Sequence, residues 1–243
     1  MKNLLHLFLC CFLLPSSWSW AESRTDSEVR FGTFAHPPYA YELDSGEQVG
    51  SLYEVANAIL RQAGLQGKNE VLPTKRLFQQ LKNGMSDCSL MIKNEITKSN
   101  FNLIEPIGEI VSTGITAKPG VRLESYDDLE EIIIAVPRGI YIYSPFDQDK
   151  SLNKVATNDY GHSAVMLGRG RVDAMAGVVE SMLFNVHKQD VKVGESLIFS
   201  TYPIWMLCAR DALPESTLIR LQSAVKSLRE DGTIRQIFLS HAE

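Results

Sequence analysis

Segments with strand character and segments with helix character alternate from residue 28 onward. EVRFGTFA alternates apolar and polar residues as a strand does, and GSLYEVANAILRQAG has its apolar residues at helical spacing before Gly64. Ser51 followed by Glu54 predicts a capping box at the start of that helix. The strand NEVLP, the helix TKRLFQQLKNG and the strand DCSLMI follow. This βαβαβ order predicts a mainly parallel sheet covered by helices.

The second half of the chain repeats the alternation. SYDDLEE is predicted to be a capped helical turn with Ser125 and Asp128 in box positions, and IIIAVPRG has the continuous apolar character of a buried strand. The helix DYGHSAVMLGRG, the strand VDAMAGV and the helix VESMLFNVHKQ come next. Two long extended stretches, around 108–118 and 196–209, join the two cycles of strands and helices.

The two extended stretches indicate a chain that crosses from one lobe to another and then returns. We predict lobe 1 at residues 22–112 and 200–243, and lobe 2 at residues 113–199. Ligands of open α/β sheets bind at the carboxyl ends of the strands, so the prediction places a binding cleft between the lobes.

The first residues resemble a secretory signal peptide. Lys2 supplies the positive charge, Leu4 to Leu14 form an apolar run, and Ser19 and Ala21 are the small residues that precede a cut after Ala21. The apolar run is short for a membrane span. We therefore predict a signal peptide at residues 1–21 and export to an oxidising space, most simply a bacterial periplasm.

Charge and cysteine content exclude several classes of partner. The chain of 243 residues has a net charge of −5 and no basic block, which argues against nucleic acid or an anionic membrane surface. Cys88 and Cys208 remain once the signal peptide is removed, and they could form one disulfide or be two small buried strand residues, the interpretation we favour. Neither has a partner at metal-ligand spacing. We expect no metal, no cofactor and a monomer.

The order of several segments resembles a known family. FGTFAHPPYAY, GEQVGSLYEVANAILRQAG, LPTKRLFQQLKNGMSDCSL and NLIEPI come first, and YDDLEEIIIAVPRGIY, GRGRVDAMAGV and LREDGTIRQIF follow. Together they resemble the bacterial extracellular solute-binding proteins of family 3, the periplasmic receptors that feed ABC importers for amino acids and related small polar solutes. The resemblance implies an α/β fold of the two-lobed periplasmic binding protein kind (type II). Each lobe would be a mainly parallel sheet flanked by helices, and two hinge strands would join them.

The chain departs from this family where its amino-acid receptors hold the ligand. Those receptors place an arginine shortly after the strand that CSLMI matches, and its bidentate grip on a carboxylate is one that lysine cannot copy. Residues 96–100 contain no arginine, and Val178 stands where the resemblance implies the acid for the α-ammonium, with Glu180 just beyond. The resemblance therefore implies a divergent branch, and it argues against a standard amino-acid ligand.

Seven residues are candidates for contact with a ligand, because they lie in loops or helix starts next to strand ends or at positions that the resemblance implies. They are Tyr39, Arg76, Lys93, Asn94, Arg138, Tyr141 and Glu180. Tyr39 follows Pro37 and Pro38 and would stack on a ligand or cap the core of its own lobe. Arg76, near the start of a helix, opposes the helix dipole unless it meets an anion, although it could equally be a solvated surface residue.

These features predict a binding protein that captures a small polar solute between two lobes and delivers it to the membrane permease of an ABC importer. The positive charges of Arg76, Lys93 and Arg138 predict an anionic or carboxylate-bearing solute. One alternative is a dehydratase-like periplasmic enzyme with Glu180 as general base. The other is a sensor that docks on a receptor kinase. We favour the binding protein over an enzyme, and the sequence assigns neither the solute nor the cognate permease.

Overall fold

The computed structural model describes residues 28–241, so the predicted signal peptide lies outside the described residues. The strands are β1 (Glu28–Phe34), β2 (Tyr41–Glu42), β3 (Gln48–Val49), β4 (Gln66–Leu72), β5 (Cys88–Ile92), β6 (Asn102–Ala117), β7 (Ile133–Pro137), β8 (Asn153–Thr157), β9 (Ala174–Val178) and β10 (Ser196–Cys208). The α-helices are α1 (Ser51–Gln62), α2 (Thr74–Lys82), α3 (Glu95–Asn100), α4 (Ser144–Gln148), α5 (Tyr160–Gly168), α6 (Val179–Lys188), α7 (Glu215–Glu230) and α8 (Thr233–Ser240), and Tyr126–Leu129 form a turn of 3-10 helix. None of the helices described combines the length and the apolar character needed to cross a membrane.

Eight of the strands form one sheet in the order β4-β1-β5-β10-β6-β9-β7-β8. At one end β1 runs parallel to β4 and β5, and at the other β7 runs parallel to β8 and β9. The long strands β6 and β10 lie antiparallel to each other in the middle and complete both halves. The predicted α/β architecture is confirmed, with its two parallel regions joined by two long strands.

The two joining strands coincide with the two extended stretches of the sequence. Pairing between β6 and β10 runs from Thr116 opposite Ser196 to Asn102 opposite Cys208, with register shifts along the way. A ladder of this length can twist along its course, so two halves of a sheet can face each other across a cleft. The predicted lobe boundaries fall inside β6 and β10, and as exact positions they stay a prediction.

Each half of the sheet has its own apolar core. In the first half, α1 packs against β1 and α7, and buried Phe31, Ile59 and Leu221 belong to one cluster. In the second half, Ile134 and Phe146 belong to another cluster. The apolar residues whose spacing predicted α1, among them Leu52, Val55 and Ile59, are buried on the side of the helix that faces the sheet.

The start of α1 differs from the prediction. Gly50, with φ of 120°, is the N-cap residue, and Ser51 is already the first residue of the helix, with no side-chain cap. The backbone conformation before the helix is one that only glycine adopts easily, and the helix begins one residue earlier than it would with Ser51 as its cap. The second predicted box is confirmed, because the carboxylate of Asp128 accepts a hydrogen bond from the N–H of Ser125 at 2.8 Å.

A disulfide joins Cys88 and Cys208. The two residues lie directly opposite each other on β5 and β10, and both are buried. The expectation of two small buried strand residues is right about their position and wrong about their bonding. Neighbouring antiparallel strands bring two side chains of a non-local pair close together, which sequence separation cannot reveal.

Candidate functional site

A cavity of about 220 Å³ lies where the strand ends of the two halves meet. Most of its wall is apolar: Phe34, Leu52, Phe78, Met91, Ile92, Ile96, Val111, Ile140, Val178 and Ile204, with Gly139. The polar part of the wall is His36, Tyr39, Thr74, Asn94, Thr97 and Tyr141. Among the described residues that form this wall, none is Asp, Glu, Lys or Arg. We call this space the central cavity.

The loop after β1 supplies one side of the central cavity. Its Pro37–Pro38 peptide bond is cis, the N–H of His36 donates to the carbonyl of Ala40 at 2.7 Å, and the N–H of Tyr39 donates to the carbonyl of His36 at 2.8 Å. The carbonyl of Tyr39 in turn accepts from the N–H of Leu52 at 2.8 Å, which fastens the loop to the first turn of α1. These bonds hold the His36 and Tyr39 rings at the cavity wall.

His36 is a site residue that the sequence interpretation missed. Its ring is 3% exposed, it packs edge-on against Phe34 at 5.5 Å between ring centroids, and its Nε2 has no hydrogen-bond partner among the described residues. Burial lowers the pKa of this imidazole to about 4, so the ring is neutral at pH 7. The concentration of rings in FAHPPYAY is the signal that would have marked it.

Contacts between the two halves close the cleft around this loop. The ring of His36 meets Tyr160 of α5 at 4.8 Å between centroids, and Tyr41 meets Phe184 of α6 at 5.5 Å. The hydroxyl of Tyr160 accepts a hydrogen bond from the N–H of Val178 at 2.9 Å. The described conformation is therefore a closed one, in which aromatic side chains of both halves touch across the cleft.

Tyr39 lies in the wall of the central cavity, and it also belongs to the core of the first half. Its ring is 5% exposed and contacts Phe238 of α8 at 6.2 Å between centroids. Burial, together with the negative charge of nearby Glu180, raises the pKa of the Tyr39 hydroxyl well above its usual range. Both sequence interpretations of Tyr39 thus describe part of its surroundings, and stacking on a ligand stays a prediction.

Glu180 lies in the first turn of α6, beside Tyr39 and outside the wall of the central cavity. Its Oε2 is buried and has no hydrogen-bond partner among the described residues. The Arg138 guanidinium donates a hydrogen bond to Oδ1 of Asn158 at 3.0 Å.

The end of β5 places its two candidates differently. The Lys93 ammonium lies 4.2 Å from the centroid of the Trp205 ring, and its backbone N–H donates to the carbonyl of Pro203 at 2.9 Å. Asn94 lies in the cavity wall and caps α3, since its Oδ1 accepts from the N–H of Thr97 at 2.9 Å. Lys93 is therefore turned to the hinge strand β10, and Asn94 faces the cleft.

Replacing Asn94 with alanine should lower the free energy of unfolding by about 1 kcal/mol, because α3 loses its N-cap acceptor. Asn94→Asp keeps an acceptor oxygen and should cost only a few tenths of that, while it removes the amide donor from the cavity wall. Urea denaturation measures both effects. Equal destabilisation by the two variants would show that the cap is not what Asn94 contributes to stability.

The remaining candidates lie at the rim of the cleft or outside it. Arg76 is exposed on α2 and is not part of the central cavity wall. Arg138 is exposed and lines a second, more open cavity of about 510 Å³, together with Asp147 and Lys154. Tyr141 lines both cavities, and burial with a hydrogen bond to Tyr202 raises its pKa to about 12.

The structure does not bring Arg76, Lys93 and Arg138 together at the central cavity. The charge argument for an anionic solute assumed that these three cations line the cleft, so it has no support at this cavity. The reason is local geometry: Arg76 is turned to solvent, Lys93 lies over an indole ring and Arg138 is bonded to Asn158. Contact of each with a ligand stays a prediction.

The buried imidazole of His36 predicts a loss of stability in mild acid. Its folded-state pKa of about 4 lies below the usual histidine pKa of 6.5, so unfolding takes up a proton between these two pH values. The contribution is complete above pH 6.5 and is lost as the pH falls towards 4. Between neutral pH and pH 5 we expect a loss of about 2 kcal/mol from this group.

Urea denaturation at neutral pH and at pH 5 tests this loss in the wild type and in His36→Gln. The variant has no imidazole at this position, so its stability should fall by about 2 kcal/mol less over the same interval. The comparison removes the contribution of the carboxylates, which titrate in both proteins. Identical pH dependence in the two proteins would contradict the prediction.

The comparison with known proteins agrees with this architecture. The profile of the bacterial extracellular solute-binding proteins, family 3, matches residues 29–242, whereas no curated protein matches the sequence. Within residues 28–241, no cluster of His, Cys, Asp or Glu side chains could hold a metal ion.

Three solved structures illustrate the similarity of fold. A histidine kinase sensor domain similar to periplasmic binding proteins is 17% identical, with 89% of this chain and 97% of that one covered and a TM-score of 0.77. An ancestral arginine-binding protein with bound arginine is 20% identical, with coverage of 88% and 97% and a TM-score of 0.74. An ancestral amino acid-binding protein, described as a precursor of cyclohexadienyl dehydratase, is 17% identical, with coverage of 89% and 96% and a TM-score of 0.72. At these identities the three structures establish the fold alone. The family profile matches most of the chain, and this chain therefore belongs to the bacterial extracellular solute-binding proteins, family 3.

Proposed function

We propose that this protein captures a small solute between its two lobes in the periplasm and presents the closed form to the permease of an ABC importer. The observation that carries the proposal is the central cavity, whose wall combines β1, β5 and α3 of the first half with residues 139–141 and Val178 of the second. A solute held there contacts both lobes at once. Such a solute favours the closed form because only that form offers both sets of contacts.

The hinge arrangement supports this proposal. Within residues 28–241, a single pair of strands, β6 and β10, carries the sheet from one half to the other. The two halves otherwise meet through side chains such as His36 with Tyr160 and Tyr41 with Phe184, which separate without breaking the sheet. Rotation about two strands is a small motion that opens a large path to the cavity.

Capture fits the site better than catalysis does. Glu180, the candidate general base of the dehydratase alternative, is outside the wall of the central cavity. The described residues of that wall include no carboxylate, and its imidazole, His36, is a weak base because burial lowers its pKa to about 4. The unpartnered Oε2 of Glu180 keeps the alternative testable, because turnover that Glu180→Gln abolishes would favour an enzyme.

Native mass spectrometry of protein purified from its own periplasm tests the proposal. We expect a mature chain that begins after Ala21 and a retained small molecule. Small-angle scattering should then show a smaller radius of gyration when that molecule is added to stripped protein. Scattering that never changes, with no retained molecule, would contradict solute capture.

The partner that receives the closed form is tested separately. Cross-linking in intact cells followed by a pull-down should recover the membrane permease of an ABC importer. Recovery of a receptor kinase in its place would favour the sensor alternative and would leave solute capture intact. The first experiment therefore tests whether the protein binds a solute, and the second identifies the membrane protein that receives the closed form.

A further inference from the structure

We propose that the solute enclosed by the central cavity is uncharged, largely apolar and about the size of one ring. The inference rests on the proposed function, since it names the chemical class of solute for the same site. The chain has a resemblance to receptors of polar solutes, and its sequence led us to expect an anion. The side chains of the cavity wall favour an uncharged and largely apolar solute instead.

The first step of the argument is charge. The part of the chain that the structure describes contributes no Lys, Arg, Asp or Glu to the central cavity wall. The imidazole of His36 is neutral, because it is buried. A carboxylate or ammonium enclosed here would lose its water and meet no opposite charge among the described wall residues, and burial of an unpaired charge is strongly unfavourable. An uncharged solute avoids this penalty.

The second step is the state of the polar groups in the wall. The Thr97 hydroxyl donates to the carbonyl of Ile92 at 2.9 Å, and Oδ1 of Asn94 is engaged as a helix cap. The ring of Tyr141 packs against that of Tyr202 at 5.6 Å between centroids. The Thr97 hydroxyl and Oδ1 of Asn94 therefore already have partners inside the protein. A solute with many polar atoms would leave its own donors and acceptors unsatisfied.

The third step is the imidazole of His36. Nε2 of His36 is buried without a partner, and the ring lies in the cavity wall. A neutral imidazole can donate one hydrogen bond and accept another. One hydroxyl or carbonyl on an otherwise apolar solute would match this capacity. The wall thus suits a solute with a single small polar group.

The fourth step is size. Apolar cavities of roughly 150 Å³ in other proteins stay dry and bind benzene. The central cavity has about 220 Å³ and contains the rings of Phe34 and Phe78 in its wall. It therefore fits one ring with a short substituent, or a branched aliphatic chain of similar bulk.

The cations of the neighbouring cavity lie outside the central cavity wall and already have partners in the second half. Arg138 is bonded to Asn158, and the Lys154 ammonium donates to the carbonyl of Phe146 at 2.6 Å. The carboxylate of Asp147 accepts from the N–H groups of Ile142 and Tyr143. Each charged group of this second cavity is thus already engaged within the second half.

A matched set of phenyl compounds tests the class of solute. Phenethyl alcohol is neutral, phenylacetate is an anion, phenethylamine is a cation and L-phenylalanine is a zwitterion, and all four share a ring and a short chain. Calorimetric titration of stripped protein should show the alcohol binding about 30-fold more tightly than each of the other three. Small-angle scattering should show closure with the alcohol.

A pair of variants tests the position of the site. Ile96 lines the cavity and is 47% exposed, so Ile96→Arg adds a cation at the wall with little effect on folding. We expect it to weaken the alcohol at least tenfold and to strengthen phenylacetate. Ile219→Arg is the control, since Ile219 is 54% exposed on α7 and lines neither cavity. It should change neither affinity.

The outcomes separate this inference from the proposed function. If phenylacetate, phenethylamine or L-phenylalanine binds and closes the lobes as well as the alcohol does, the uncharged class is wrong and solute capture stands. If no neutral compound in a set widened to alicyclic and branched aliphatic alcohols binds up to about 10 mM, the inference is also overturned. If in addition no charged compound closes the lobes and no retained molecule is found, solute capture falls with it.

Discussion

Removing the disulfide between Cys88 and Cys208 should lower the free energy of unfolding by about 4 kcal/mol. The bond links residues separated by 120 positions, so it closes a long loop in the unfolded chain. In the chain-entropy description, a loop of roughly this length is worth about 4–5 kcal/mol. We expect the m-value for urea to rise as well, since the unfolded chain without the bond is more expanded.

The position of the bond explains why the effect should reach the whole molecule. Cys88 is the first residue of β5, and Cys208 is the last residue of β10. Everything between them, including the entire second half, lies in the closed loop. The bond therefore ties the first half together independently of how the second half folds.

Urea denaturation of Cys88→Ala/Cys208→Ala, beside oxidised and reduced wild type, measures the effect. Reduced wild type keeps both sulfurs in the core, so it separates the cross-link from the packing of two buried side chains. Both the reduced protein and the double variant should lose most of the 4 kcal/mol expected from the loop. A change below about 1 kcal/mol in reduced protein, with both thiols shown to be free, would contradict the prediction.

The architecture was predictable because its signals are local. Strand and helix periodicity placed most elements, and the box at Ser125 was visible as a short motif. The predicted box at Ser51 failed for a backbone reason, since Gly50 adopts φ of 120° and starts the helix itself. The extended stretches that predicted a crossing are β6 and β10, which pair along most of their length.

The site was less predictable because its chemistry is non-local. The central cavity wall draws on many elements, and Ile92, Ile140 and Val178 have the sequence character of ordinary core residues. Positions beside strand ends identified Asn94 and Tyr141, but position does not fix where a long cationic side chain points. Lys93 lies over Trp205 and Arg138 reaches Asn158, and neither partner is a sequence neighbour.

Gly50→Ala should be the most damaging single substitution near the cavity, with a loss of about 3 kcal/mol in the free energy of unfolding. A Cβ at this position would lie 2.5 Å from the carbonyl oxygen of Tyr39 and 2.7 Å from that of Pro38. The backbone, with φ of 120°, would also be strained for alanine. Both carbonyls belong to the loop that holds His36 and Tyr39 at the cavity, so relief of the clash must displace that loop.

The matched control is Gly46→Ala, in the β2–β3 connection four residues before Gly50. Gly46 has φ of 86°, and a Cβ there would meet nothing within 4 Å, so only backbone strain of about 1 kcal/mol applies. Urea denaturation measures both variants, and hydrogen exchange of the Leu52 amide reports on the loop, because this amide donates to the carbonyl of Tyr39. Gly50→Ala should speed that exchange and Gly46→Ala should not. Equal losses of stability would mean that backbone strain, and not contact with the Tyr39 loop, explains the glycine at position 50. The loop would then be held in place by the cavity wall and not by the start of α1.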